Sequence, residues 1–109
     1  MSWTDQKAED VHHWKLEGEL TEKEVQELNK LRSLEDDSVV DIREASGLNA
    51  LHMLLESLGD WQQTGKSCVL LASEVQLEAF GDLELSLAPT WQEALDIIEM
   101  ERIERALGF

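Results

Sequence analysis

The sequence predicts an α/β layer fold, with a mostly parallel sheet of four to five strands and about four helices. Three observations carry that prediction. Short apolar runs alternate along the chain with segments whose apolar residues recur at helical spacing. Three helical segments open on Ser or Thr followed three residues later by Glu or Gln, at Thr21/Glu24, Ser73/Gln76 and Thr90/Glu93, the capping box of a helix start. Two runs, "SVVDI" and "SCVLLA", lack polar alternation, as fits strands covered on both faces.

Taken in order, residues 1–9 are polar apart from Trp3 and read as an arm or a short edge strand. "VHHWKL", from Val11 to Leu16, is a strand that stops at Gly18. Thr21 then caps a helix in which Val25, Leu28 and Leu31 repeat, ending near Ser33. Ser38 to Ile42 forms a buried strand. A second helix follows, capped by Ser46, with Leu48, Leu51, Leu55 and Leu58 in one stripe that Met53 and Leu54 widen before Gly59. "SCVLLA" is the next strand, and Ser73 opens a short helix through Phe80. Leu83, Leu85 and Leu87 alternate with polar residues, the period of a half-exposed strand. Pro89 and Thr90 introduce the last helix, whose apolar side runs through Leu95 and Ile98 and continues at Ile103 and Leu107. Trp14 and Trp91 lie in patterned elements and are expected in the core. Trp3 and Trp61, at an end and a turn, are candidate contact residues, Trp61 foremost.

With 109 residues, 42% of them apolar, the chain has the size of one domain spanning residues 1–109. Nine basic against 24 acidic residues give a net charge of −15, which disfavours nucleic acid and anionic lipid and favours solubility and basic partner patches. Cys68 is the single cysteine and sits inside an apolar run, as a small core side chain would. The first residues show no basic region leading into an apolar one, and no apolar run approaches the roughly 20 residues that cross a bilayer. A cytoplasmic protein without membrane insertion is the expectation.

The candidate chemistry is sparse. His12 and His13 are neighbours in a strand, so their side chains leave opposite faces and do not chelate one ion. Ser46, His52 and Asp41 supply the residue types of a hydrolase triad, but "EASG" is no Gly-x-Ser-x-Gly elbow. "DWQQTGKS" holds Gly-Lys-Ser, yet Trp61 stands where a phosphate loop needs its first glycine. The acids at 17, 19, 22, 24 and 27 spread over a turn and a helix surface, a solvated face rather than a carboxylate pair. No enzyme, metal or cofactor is predicted. "REASG" remains, because a loop that leaves a buried strand for a helix lies at the carboxyl edge of the sheet, the usual functional rim of α/β folds. There Ser46 caps, Gly47 permits close backbone approach, and a phosphoryl group on Ser46 would meet the positive end of a helix.

The order of elements and several phrases resemble the STAS family, the sulfate-transporter and anti-sigma-factor-antagonist domains, over about residues 10–107. "LEGELTEKEVQEL" is similar to the family's first strand and helix, "VVDI" to its central strand, "EASGLNAL" to its Asp-Ser-Ser-Gly-Leu signature, and "PTWQEALDIIEMERIERAL" to its final helix. The resemblance implies a non-catalytic regulator that binds an anti-sigma factor or a sensor kinase-like protein in a partner-switching system. In such systems the kinase phosphorylates the first hydroxyl of the signature. Aligned through Gly47, Ser46 matches the second hydroxyl position, Ala45 the phosphoacceptor and Glu44 the leading aspartate, so the usual acceptor is missing. Only Ile42 and Arg43 separate Asp41 from Glu44, a shorter loop than the family's. The partner-binding residues implied are Glu44, Ala45, Ser46, Gly47, Asn49 and His52, with Ser46 a secondary phosphorylation site and a homodimer compatible. Two alternatives follow from the same resemblance: a structural subunit of a lipid-transport ATPase complex, and a small-ligand-binding domain.

Overall fold

Alternating inward residues give this chain two separate apolar layers, one on each side of a single main sheet. The computed structural model describes residues 3–8, 10–31, 37–63, 66–80 and 86–108. Strands β1 (Trp3–Ala8) and β2 (Val11–Leu16) form a hairpin whose turn holds Asp10 at φ 63°. A short β3 (Gly18–Leu20) leads into α1 (Glu22–Leu31), then β4 (Asp37–Asp41), β5 (Ala45–Leu48) and α2 (Leu51–Gln62). The chain finishes with β6 (Cys68–Leu71), α3 (Glu74–Phe80), β7 (Ser86–Ala88) and α4 (Trp91–Ala106).

The five-stranded sheet has the order β1-β2-β4-β6-β7. It is mixed, which corrects the expectation of a mostly parallel sheet: β1 is antiparallel to β2, while β2, β4, β6 and β7 pair in parallel. A polar segment joined to β2 by a tight turn pairs antiparallel to it, because only a long crossover brings a neighbour back in parallel. The expected edge strand near the amino end is therefore present as β1. A second, two-stranded parallel sheet joins β3 to β5.

Spatial order follows chain order, so each crossover steps in the same direction across the sheet. Right-handed crossovers then put the intervening helices on one face. Trp14, Leu16, Val40, Cys68 and Leu70 on that face pack with Leu28 of α1 and with Leu54, Leu58 and Trp61 of α2; Leu77 of α3 joins them. The opposite face, with Val11, Val39, Val69, Leu71 and Ala88, is left to α4 through Ala94 and Ile98. "VVDI" and "CVLL" carry no polar alternation because both their faces are covered.

Trp3 and Trp61 are buried at 4% and 8% exposure, so neither is a surface contact residue. Trp61 follows Leu54 and Leu58 on the core side of α2, and the Trp3 indole N–H donates to the Glu24 carbonyl at 2.8 Å. Trp14 is buried as expected, while Trp91 is partly buried against the α4 layer. Cys68 is buried and free of disulfides.

The apolar side of α4 stops at Ile98; Ile103 and Leu107 are 53% and 68% exposed instead of continuing it. A helix of 16 residues is about 24 Å long, whereas the five residues of β4 span about 16 Å. The helix outruns the sheet it covers. The expected carboxyl end of the first helix near Ser33, and Leu83 and Leu85 of the expected last strand, lie outside the described residues; Leu87 is in β7.

Candidate functional site

The rim begins where β4 ends. Asp41, fully buried, accepts from the backbone N–H and Nε of Arg43 on Oδ1 (3.0 and 3.1 Å). On Oδ2 it accepts from the Arg43 guanidinium at 3.0 Å and faces Nε2 of His13 at 2.9 Å. Burial pushes this carboxyl up, but the bonds from His13 and Arg43 outweigh it and hold Asp41 well below the usual carboxylate range. The same bond to Asp41 raises Arg43. His13 reaches Asp41 because it sits on the α4 side of β2, and its ring stacks on Trp91 at 4.6 Å. A carboxylate, two cationic or neutral donors and an aromatic ring thus lock the base of the rim.

Beyond Asp41 the chain turns over buried Ile42. Its N–H donates to the Leu71 carbonyl at 2.9 Å, and its own carbonyl accepts from the Ala45 N–H at 3.1 Å and the Gln76 amide at 3.1 Å. Arg43 and Glu44 form the turn, and Glu44 meets the Lys15 ammonium at 2.9 Å. The bond to Glu44 raises the Lys15 pKa. Glu44 is therefore half of an ion pair with β2.

Ser46 does not cap a helix. It lies in β5, exposed, and α2 starts five residues later at Leu51 with Ala50 as its N-cap and no side-chain cap bond. Leu48, expected on the helical stripe, is likewise in β5. The reason is β3, whose backbone pairs Gly18 with Ala45, Glu19 with Gly47 and Leu20 with Leu48. Satisfying those groups in a ladder keeps residues 45–48 extended, and the Ala50 N–H then bonds the Leu20 carbonyl at 3.1 Å. Gly47 does admit a close neighbour: a Cβ there would come 3.2 Å from Cγ of Glu19. Glu19 also accepts from the Asn49 amide.

Glu44, Ala45, Ser46, Gly47 and Asn49 are thus gathered on one turn and one short strand, with Ala45 turned partly into the core. His52 stands one helical turn away on α2, exposed, 3.3 Å from Glu56. It does not meet Asp41, whose imidazole partner is His13, so the triad of residue types is not assembled. Residues that sequence reasoning left out are Lys15, Glu19 and Arg43, together with His13 as the partner of Asp41. Period two places His13 and Lys15 on one face of β2, a signal present in "VHHWKL"; their register against Asp41 is not written locally.

Beside the rim, Thr4, Gln6, His13, Lys15 and Glu17 line an open cleft of about 200 Å³ on the α4 side of the sheet. Among the described residues, no group of three or more His, Cys, Asp or Glu side chains is placed to hold a metal ion. Among them also, no helix is long and apolar enough to cross a membrane.

No family model matches the chain, and no curated protein matches it. Among solved structures it is similar to the crystal structure of an uncharacterized protein from the DUF3478 family with a SpoIIAA-like fold, from Shewanella loihica PV-4. The two share 20% identity and a TM-score of 0.49, over 88% of this chain and 91% of that chain.

Proposed function

We propose that the protein is a non-catalytic binding module of the anti-sigma-factor-antagonist kind, which engages an anti-sigma factor or sensor kinase-like protein through the rim from Arg43 to Asn49 and the adjoining His52. The observation that carries this reading is the contrast between base and tip. Asp41 and Ile42 are fully buried and multiply bonded, and Arg43 is tied to Asp41 at the edge of that base, while Glu44, Ser46, Asn49 and His52 are exposed beyond it. Polar side chains held on a rigid support suit recognition, because little ordering is left to pay for on binding. The sequence resemblance of "VVDI" and "EASGLNAL" to the STAS signature supports the same rim.

Ala45 has no hydroxyl, so the module is constitutive unless Ser46 takes the phosphate. Phosphorylation of Ser46 would add a dianion close to Glu19 and Glu44, the neighbours of β5 and its turn, and would deepen the negative charge that a partner meets there. The test is affinity capture with wild type, Arg43→Glu, Ser46→Ala and Ser46→Glu, with intact-mass measurement of the bait. The reading expects a kinase-related or anti-sigma protein on wild type and Ser46→Ala that is lost with Arg43→Glu and Ser46→Glu. Capture of such a protein unchanged by all three substitutions would move the interface elsewhere, and capture of none would remove the function proposed.

A further inference from the structure

We propose that the outward face of α4, from Met100 to Leu107, is a docking surface for a basic amphipathic helix of another protein, separate from the rim. Met100, Ile103 and Leu107 are 61%, 53% and 68% exposed. Their spacing of three and four residues aligns them in one stripe on the side away from the sheet. Helix-in-groove partners are read by such i, i+3, i+7 anchors.

Charge decides what lies on it. Acids surround the stripe: Asp96, Glu99 and Glu104 are all exposed. The two arginines of the same stretch are drawn back towards the sheet, Arg102 Nε to Asp37 at 2.7 Å and Arg105 to Asp37 at 3.6 Å and to the Ser67 hydroxyl at 3.1 Å. Asp37, at the amino end of β4, thereby removes the local cations from the outward face. Alongside runs a trough of about 460 Å³ with Val11, Leu95 and Ile98 in it and Gln92, Asp96, Glu99 and Arg102 as its polar lining, the Arg102 charge being balanced by its pair with Asp37. An apolar seam with acidic margins complements lysines or arginines flanking an apolar seam. A second copy would bring the same acids face to face, and an anionic bilayer would meet them with its own charge.

The stripe covers seven residues of rise, about 10 Å, which is short for a standard interface of about 1,600 Å². The acidic margins must therefore carry much of the recognition, and binding must weaken with salt.

The probe is a labelled synthetic helix of about 18 residues with leucines at i, i+3, i+4 and i+7 and lysines elsewhere, compared with a twin carrying glutamates for the lysines. Anisotropy titrations use wild type, Ile103→Asp, the pair Glu99→Lys and Glu104→Lys, and a control pair, Glu22→Lys and Glu78→Lys, with the same change in net charge on α1 and α3. Ile103→Asp adds an acid, so any loss it causes is loss of apolar contact. Expected are binding of the basic probe, weakening of about tenfold or more by Ile103→Asp and by the α4 pair, little change with the control pair, and no binding of the acidic twin. Amide shifts in an NMR titration should fall on residues 96–107. Equal weakening by both charge pairs, indifference to Ile103→Asp, or no binding of the basic probe would overturn the proposal. So would sedimentation showing a wild-type dimer that Ile103→Asp disperses, since the occupant would then be a second copy.

Discussion

Asp41, fully buried, and Glu101, half-buried, are two acids whose surroundings push them in opposite directions. Asp41 titrates below its ordinary value in the folded protein, so the unfolded chain takes up its proton first as the pH falls. Its contribution is complete above about pH 5 and is lost as the pH drops through the folded value. We expect Asp41→Asn to cost about 2 kcal/mol near neutral pH by urea denaturation, because it takes away the carboxylate charge that His13 and Arg43 face. The variant should also show a shallower fall in stability between about pH 5 and pH 2 than wild type. Glu101 is raised, first by burial, against the bond that it accepts from Ser67. Its folded form holds the proton more tightly, so its penalty grows as the pH rises above the ordinary carboxylate value. Glu101→Gln should melt at a higher temperature than wild type at pH 7, with the gap closing near pH 4. Neither assignment was legible from the sequence: the Asp of "VVDI" announces a strand end, but its imidazole lies 28 positions earlier and depends on register.

At the level of elements, local chemistry told the truth where the helix ends face solvent. The Ser73 and Gln76 pair makes both reciprocal bonds of a capping box, at 2.8 and 3.2 Å, and Thr90 accepts from the Glu93 N–H at 3.2 Å. At Thr21 the hydroxyl instead donates to the Glu24 carboxylate, a bond between the two side chains of the expected box. Ser46 failed as a cap because two short segments, too brief to show any period, found each other as β3 and β5. Two substitutions separate the cases: Ser73→Ala should lose about 1 kcal/mol, while Ser46→Ala should stay within about 0.5 kcal/mol, both by chemical denaturation. Glycine roles divide in the same way. Gly18 has φ 113° at the entrance to β3, so Gly18→Ala should cost about 1 kcal/mol or more. Gly47→Ala should cost less, since the atom that it crowds belongs to the exposed side chain of Glu19.

For the whole molecule, α/β class was legible because alternation of buried runs with capped helices has few other solutions. The direction of β1 was not, because a polar edge strand carries no apolar pattern to read. The charge of −15 is likewise a property of the whole chain: self-repulsion opposes compaction, and screening relieves it. Adding sodium chloride from about 20 mM to about 500 mM, where the Debye length falls below about 5 Å, should raise the melting temperature. A decrease would mean that ion pairs such as Lys15 with Glu44 outweigh the repulsion.

The order β1-β2-β4-β6-β7 runs across the sheet as it runs along the chain. A ribosome delivers the polypeptide amino end first, and domains tend to fold in that sequence. Here every new strand of the main sheet finds its seat on the growing border, and none has to be wedged between two already paired. The α4 helix, synthesised after all of them, closes the remaining face like the last page of a book. Assembly during translation therefore requires no step that undoes an earlier one.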